Sequence, residues 1–360
     1  MSNLTAEDQK ESVFDADSEI SLMNFGFLTE CYVKEGKSHA QAFADTFEQV
    51  DQAEALGMDS VWMVEQHFRP WASILPSPML MASAIAMRTE RMRIGLAVQV
   101  LPLSNPLRSA EEACMLDQIC QGRFDFGVGR SGITKFYNGY NIPYSESRAR
   151  FDESLDIILE AFNNDTFSYE GQFHTFHDVI VAPKPVQQPH PPIWVATAAA
   201  ESIPALGKRG LPLLLWFMGN WFEEPLKAYR KAWVEAGHPG DPQALVRIPA
   251  YVGETSQLAH DEPKESTLYD FRRLIREYGE AGDEQRAARA KYDHEHYDEV
   301  RETRMAYGSP EEMIDRLGEF RDRMGVTGFL LDLNFGGQIP QDLVLNSMRL
   351  LTEKVMPAFK

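Results

Sequence analysis

The sequence predicts an α/β fold, a (β/α)8 TIM barrel with insertions. Short apolar runs alternate with amphipathic helical patterns along the chain, the rhythm of βα units around a parallel sheet. Eight such runs stand out, the number that closes a barrel. A length of 360 residues exceeds a typical small domain but suits one barrel with additions.

The expected strands lie near Leu22–Leu28, Ser60–Val64, Arg93–Val100, Phe124–Val128, Ile193–Ala196, Leu213–Phe217, Val246–Val252 and Gly328–Leu333. A helix over about Ala40–Leu56 carries Phe43, Phe47 and Val50 on one face and stops at Gly57. Ser309-Pro310-Glu311-Glu312 reads as a capping box with proline at the first helical position, ahead of Met313, Ile314, Leu317 and Phe320. A last helix spans roughly Gln341–Val355. Two stretches break the rhythm. Residues 131–192 hold a helix and a small β excursion over Phe167–Val181, and the charge-dense residues 254–305 read as helices covering the barrel mouth. Neither owns a core, so 21–360 is expected to be one domain behind an acidic leader over 1–20.

Hydrophobic residues make up 44% of the chain, enough for a large core, and the formal net charge is −19. That balance leaves no basic footprint for nucleic acid. It does not exclude an anionic ligand, which one arginine and backbone N–H groups can hold locally. Cys31, Cys114 and Cys120 show no metal or redox spacing and read as buried thiols. The polar, acidic opening does not read as a signal peptide, and the longest apolar run, Leu211–Met218, is far too short to span a bilayer. A cytoplasmic enzyme without a membrane partner fits these features.

Chemistry concentrates where the expected strands end. Val61-Trp62-Met63-Val64 runs into Glu65-Gln66-His67, and a histidine at a strand's carboxyl end can move protons or hold a ligand. The plain alternative is a structural histidine beside a glutamate. Gly127-Val128-Gly129-Arg130-Ser131-Gly132 matches a dinucleotide fingerprint, but it follows the fourth strand and lacks the later acid. Its glycines can admit a ligand against the backbone with Arg130 as an anion partner, or can form a tight turn with a solvated arginine. Thr197-Ala198-Ala199-Ala200-Glu201-Ser202 opens a helix with small residues, suiting either an anion or ordinary capping. Arg93–Pro102 ends in small residues that leave room for something flat. His294 and His296 face different sides of a helix, and His174, His177 and His190 lack metal spacing, so no metal site is expected.

These segments, in this order from Met23 to Phe359, resemble the bacterial luciferase-like family of flavin-dependent monooxygenases, most closely the luciferase α-subunit (alkanal monooxygenase) type. The likeness runs through Val61–Phe68, Leu101-Pro102, Asn105-Pro106-Leu107-Arg108, Leu116-Asp117-Gln118, Gly122-Arg123-Phe124, Lys208–Pro212, Gly308–Glu312 and Val355-Met356-Pro357. The resemblance implies FMN at the carboxyl ends of the strands, with a non-proline cis peptide at Ala97–Val98 under its ring. Arg130, Ala198, Ala199 and Ser202 match the positions that hold its phosphate, and Trp216 and Phe217 match the pocket lining.

It further implies reduced FMN from a separate flavin reductase, a flavin hydroperoxide formed with dioxygen, oxygenation of a small-molecule substrate, and a homodimer. His67 would orient or protonate the peroxide, and Gln66 would hydrogen-bond substrate or flavin. Four positions depart from the type: Gln66 replaces the proposed basic histidine, Gly129 the reactive cysteine, and Ala198 and Ala199 the phosphate-loop acid and serine. Light emission is therefore not expected. A deazaflavin-dependent dehydrogenase or reductase, or a non-catalytic flavin binder, would use the same barrel.

Overall fold

Alternating apolar residues in short β-branched runs give each strand one face toward the barrel lumen and one toward an outer ring of helices. The computed structural model describes residues 22–360; the leader expected over 1–20 lies outside the described residues. The strands are β1 (Asn24–Thr29), β2 (Ser60–Met63), β3 (Arg93–Leu96), β4 (Gln99–Val100), β5 (Phe124–Gly129), β6 (Phe167–Glu170), β7 (Thr175–Val179), β8 (Ile193–Thr197), β9 (Leu213–Trp216), β10 (Ala244–Val252), β11 (Ala306–Gly308) and β12 (Gly328–Asp332). Eight of them close a parallel barrel in the order β1-β2-β3-β5-β8-β9-β10-β12. Pairing of Leu214 with Leu245 joins β9 to β10, and pairing of Phe27 with Leu331 joins β1 to β12.

The expected third strand is split: β3 stops at Leu96, a cis peptide follows at Ala97–Val98, and β4 resumes against β5. The expected first strand starts two residues later, at Asn24, and β10 starts earlier, at Ala244. The short β11, which extends β10 at Tyr251–Tyr307, was not expected from the sequence. The β excursion is the antiparallel β6–β7 hairpin. The helix in 131–192, Ser147–Asn163, buries Phe151, Leu155, Ile158 and Phe162 in the outer core and serves as a ring helix between β5 and β8.

Local signals act where the sequence put them. Helix His39–Leu56 ends on Gly57 in the left-handed region (φ 89°), and Ser309 and Glu312 form the reciprocal capping box of helix Pro310–Met324. The final helix, Gln341–Leu350, widens into a π-turn over Leu351–Val355. No helix among the described residues is long and apolar enough to cross a membrane.

Within the lumen Leu28, Trp62, Val64, Trp194, Leu214, Leu245 and Leu330 pack together, with the two indoles edge to face at 5.7 Å. Trp62 is the plug of this layer. Its bulk fits because both neighbouring strands carry glycine: a Cβ on Gly26 of β1 would lie 2.9 Å from the indole, and one on Gly95 of β3 only 2.3 Å. The residues alternate with Val61 and Met63, which enter the outer core.

Residues 254–305 form helices Ser256–Asp261, Lys264–Glu280, Glu284–Glu295 and Tyr297–Arg304. Their polar side chains reach loops at the carboxyl ends of four strands. Arg273 meets Glu35 after β1 at 3.2 Å, Glu277 meets Arg69 after β2 at 2.9 Å, Arg286 donates to the Gly132 carbonyl after β5 at 3.1 Å, and Arg289 to that of Met218 after β9 at 3.4 Å. The cover is thus pinned around the mouth by charged groups, with Phe271, Ala290 and Val300 as its buried apolar contacts.

The Trp62 plug sets an expected outcome. Gly95→Ala forces a methyl into the indole and should cost about 1–3 kcal/mol or more in denaturant unfolding. Gly318→Ala, in mid-helix with no atom within 4 Å of the added Cβ, should instead stabilise by roughly 0.5–1 kcal/mol. Equal effects of the two changes would refute the plug.

Candidate active site

On one side of the mouth the register Val128–Val195 brings the ends of β5 and β8 together, so Arg130 and Thr197, each two residues farther on, lie side by side. The half-buried Arg130 guanidinium donates to Ser147 Oγ at 3.0 Å and stands over the Tyr144 ring at 5.7 Å, while Tyr137 holds the Arg130 carbonyl through its hydroxyl. One Arg130 donor is thereby fixed, and the others have no acceptor among the described residues. Beside it, Thr197 Oγ1 accepts from the Ala199 N–H at 3.1 Å, and Ser202 Oγ donates to the Ala199 carbonyl at 2.8 Å. The N–H groups of Ala200 and Glu201 have no acceptor among the described residues.

Two expectations change here. A three-residue 3-10 turn, Ala200–Ser202, and a helix of only six residues, Ile203–Lys208, follow β8, so the macrodipole adds little and Arg130 supplies most of the charge. The Ser202 hydroxyl and the Ala199 N–H are already bonded within the turn, leaving the next two N–H groups without an acceptor among the described residues. The glycines at 127 and 129 are required by packing. A Cβ on Gly127 would fall 1.5 Å from the Leu96 carbonyl oxygen, and one on Gly129 2.6 Å from Val98 Cγ2. A cysteine at 129 would have to displace Val98, which accounts for the glycine.

Next to this turn lies a shelf. Ala97 and Val98, joined by the expected cis peptide, and Ala196 of β8 are half-buried and rest on the lumen layer of Trp62 and Trp194. Their small side chains leave a flat apolar surface at the carboxyl end of the strands. The arrangement fits a phosphorylated, planar, aromatic ligand: Arg130 and the Ala200 and Glu201 N–H groups can hold the phosphate, and Ala97, Val98 and Ala196 can underlie the ring.

The opposite side of the mouth holds residues that the sequence reading missed. Arg247, on β10, binds Glu30 after β1 and lies 3.2 Å from Asp332 at the end of β12. Tyr32 donates to Asp332 at 2.8 Å, and Gln66 donates to Glu30 at 3.0 Å while accepting from Arg69 at 3.2 Å. Arg69 also pairs with Glu277 of the covering helices and sits 4.6 Å from the Trp71 ring. Burial, together with Glu30 and Asp332, pushes the Asp270 carboxyl up to about 7 against the pull of Arg69 and Arg247. Burial likewise takes Asp332 to about 6 despite Arg247. The single arginine within the apolar run Val246–Val252 is the signal that could have revealed the cluster, since an unpaired charge in a barrel strand demands partners.

Gln66 and His67 part company. Gln66 belongs to this network at the mouth. His67 Nε2 lies 2.7 Å from Glu65 Oε1, its Nδ1 lies 3.2 Å from the Tyr140 hydroxyl, and Phe68, Phe136 and Tyr140 enclose the ring. Glu65 Oε2 in turn accepts the Val100 N–H at 3.0 Å. Both His67 ring nitrogens are thus engaged, in a chain that ties β2 to β4 and to the loop after β5. Trp216 and Phe217 separate in the same way: Trp216 ends β9 at the mouth, half-exposed, whereas Phe217 packs in the outer core against Trp221 and Phe320. Cys31, Cys114 and Cys120 are buried free thiols, with burial pushing Cys31 and Cys114 up to about 11.

A parallel eight-stranded barrel with an arginine beside a turn of free N–H groups, an apolar shelf and a polar far wall at its carboxyl end fits an α/β-barrel enzyme for a small molecule. The chain belongs to the luciferase-like monooxygenase family, whose model matches residues 23–328. It is 25% identical over 335 residues to the alkanal monooxygenase alpha chain of Photorhabdus luminescens, covering 86% of this chain and 89% of that one. It is 31% identical over 173 residues to the oxygenase component of the flavin-dependent trigonelline monooxygenase of Acinetobacter baylyi, 47% of each chain. Against two uncharacterized proteins of Sinorhizobium fredii, y4wF and y4vJ, identity is 35% and 32%, but the chain spans about half the length of each, 49% and 53%. Among solved structures it resembles the monooxygenase RslO1 from Streptomyces bottropensis, with a TM-score of 0.81, 28% identity and coverage of 94% and 100%.

The raised Asp270 has a measurable consequence. Its ordinary value is near 3.8 and its folded value about 7. Between these values the folded chain holds a proton that the unfolded chain has released, so this group makes stability fall as pH rises through the window. Asp270→Asn should shrink the loss of unfolding free energy between about pH 5 and pH 8. An unchanged difference between those pH values in the variant would show that Asp270 ionises normally.

Proposed function

We propose that this chain is the oxygenase of a two-component flavin system, using FMN reduced by a separate flavin reductase and dioxygen to oxygenate a small organic substrate. The observation that carries the reading is the Arg130 guanidinium set beside the free N–H groups of Ala200 and Glu201, one step from the Ala97–Val98–Ala196 shelf. A ring and a phosphate joined by a short polar chain suit that pair of surfaces. The relative named as an oxygenase component supports a reductase as partner.

Reduced flavin, when bound, supplies the electrons that activate dioxygen. The chain's own residues bind, shield and orient. The helices of 254–305 cover the mouth and limit entry of water. Gln66, an amide that cannot exchange a proton at neutral pH, keeps one N–H and one lone pair for a ligand while Glu30 and Arg69 fix its plane. His67 and Glu65 act as positioning residues, holding the Val100 N–H and hence the segment just beyond the shelf.

Calorimetry with FMN and oxygen uptake with chemically reduced FMN test this assignment. Arg130→Ala should weaken FMN binding by roughly 1.5–3 kcal/mol through loss of a charged hydrogen bond. Gln66→Ala should lower turnover by roughly tenfold with FMN affinity kept. His67→Ala should disturb FMN affinity and thermal stability together. A folded His67→Ala enzyme with intact affinity and turnover reduced roughly 10²–10⁴-fold would make His67 the proton donor instead. Consumption of a reduced deazaflavin but not of reduced FMN would transfer the assignment to a dehydrogenase or reductase.

We further propose a homodimer. Leu80 (74% exposed) and Met87 (78%) at helix Pro78–Ala86, with Met115 and Ile119 on the neighbouring helix Pro106–Ile119, leave an apolar face open to solvent. In sedimentation the wild type should run as a dimer and the double variant Leu80→Glu, Met115→Glu as a monomer. A monomeric wild type at micromolar concentration would rule the dimer out.

A further inference from the structure

The covering helices meet the rim through four polar ties, and only one of them is buried. Arg273 and Glu35 pair with side chains 32% and 66% exposed, and Arg286 and Arg289 donate to backbone carbonyls from exposed positions. Arg69 and Glu277 pair at 2.9 Å with side chains only 7% and 11% exposed, and Glu277 has no other hydrogen-bond partner among the described residues. The backbone of Arg69 belongs to the rim, because its carbonyl accepts the Ala72 and Ser73 N–H groups at 2.8 and 3.1 Å. Its guanidinium is divided. Nε holds Glu277 of helix Lys264–Glu280, Nη1 donates to Gln66 Oε1 at 3.2 Å, and the Trp71 ring lies 4.6 Å from Cζ. A guanidinium fork is planar and rigid, so these two edges cannot be aimed independently. The Gln66 amide depends on that fork. Its Nε2 donates to Glu30 at 3.0 Å, and Arg69 is the one donor to its oxygen among the described residues. Without that donor the amide is held at its nitrogen alone.

We infer that Arg69 and Glu277 are positioning residues that make the orientation of Gln66 conditional on a closed cover. The inference deepens the oxygenase reading, since it concerns the amide which that reading turns toward the ligand. When the cover lifts, Glu277 leaves with its helix, and the guanidinium buried in the rim loses its only bonded carboxylate. An unpaired buried charge is strongly unfavourable, so Arg69 turns toward water and releases the Gln66 oxygen. On closure the pair re-forms, the fork is fixed, and the amide is again held at both ends. The remaining N–H and lone pair of Gln66 are then set for a ligand only while the mouth is shielded from water. The other three ties can break without this effect, because none of them touches a group that Gln66 uses.

Two flavin-free measurements on the full chain test the coupling. One is hydrogen exchange of the backbone amides in helices Lys264–Glu280 and Glu284–Glu295. The other is the side-chain amide signal of Gln66 by NMR in protein carrying isotope-labelled glutamine, assigned by its loss in Gln66→Ala. Glu277→Gln, which keeps shape and removes charge, should speed the backbone exchange at least about tenfold and the exchange of the Gln66 amide with water by a similar factor. Arg273→Ala, at an exposed tie, should change both by less than about twofold. Arg69→Lys keeps one cation for Glu277 and loses the second arm, so the cover should stay protected while the Gln66 amide loosens as in Glu277→Gln. Each variant is first shown to melt cooperatively, and Arg69→Lys carries the test if Glu277→Gln does not. An unmoved Gln66 signal in either of these variants, or an opening in Arg273→Ala as large as in Glu277→Gln, would overturn the inference. FMN titrated into the wild type separates the two readings. Failure to bind removes the flavin assignment and leaves the coupling standing, whereas intact binding with an unmoved Gln66 signal removes only the coupling.

Discussion

Arg247 is the tie on which the mouth depends. It projects from β10 toward the next two strands around the barrel, β12 and β1, and is held by Asp332 from one and Glu30 from the other. A guanidinium so deeply placed loses most of its hydration, and only close carboxylates return that free energy. Such a cluster adds little net stability compared with an apolar core, but it tolerates no other arrangement of the three strand ends. Through Glu30 it fixes Gln66, through Gln66 it fixes Arg69, and through Arg69 it reaches Glu277 in the covering helices. Core, mouth and cover are thus joined by one run of charged hydrogen bonds.

Below that layer the barrel is governed by volume. Trp62 and Trp194 fill the lumen beneath the shelf, and glycines on adjacent strands absorb the bulk of Trp62. The same rule explains Gly127 and Gly129, which yield to the Leu96 carbonyl and to Val98 as the chain turns from β3 into β4. The shelf is flat because the residues above the indoles are small, and it stays in place because β4 is pinned by Glu65 and, through it, by His67 and Tyr140.

Much of this was legible in the sequence where one residue type has one local use. The capping box at Ser309–Glu312, the stop at Gly57 and the eight apolar runs are short-range signals, and the barrel follows from their order. Arg130 and the turn after β8 were legible because both follow strands that must be neighbours. What escaped depends on direction and on distance along the chain. Period two carried past the end of β2 separates Trp62, Val64 and Gln66 from His67, so two neighbouring polar residues join different networks, Gln66 with Glu30 and His67 with Glu65. Glu30, Arg247, Asp270 and Asp332 are far apart in sequence and meet only through barrel closure and the packing of the cover, which no local pattern encodes.

The division of charge across the mouth gives this arrangement its chemical sense. Arg130 and the free N–H groups after β8 form a basic side at the ends of β5 and β8, while carboxyls outnumber cations at the ends of β12 and β1. The covering helices repeat the pattern, presenting Arg286 and Arg289 toward the loops after β5 and β9 and Asp270 and Glu277 toward the acid-rich side. An excess of acid over base in the whole chain thus coexists with a local basic turn, because the barrel sorts charge by strand end rather than by segment.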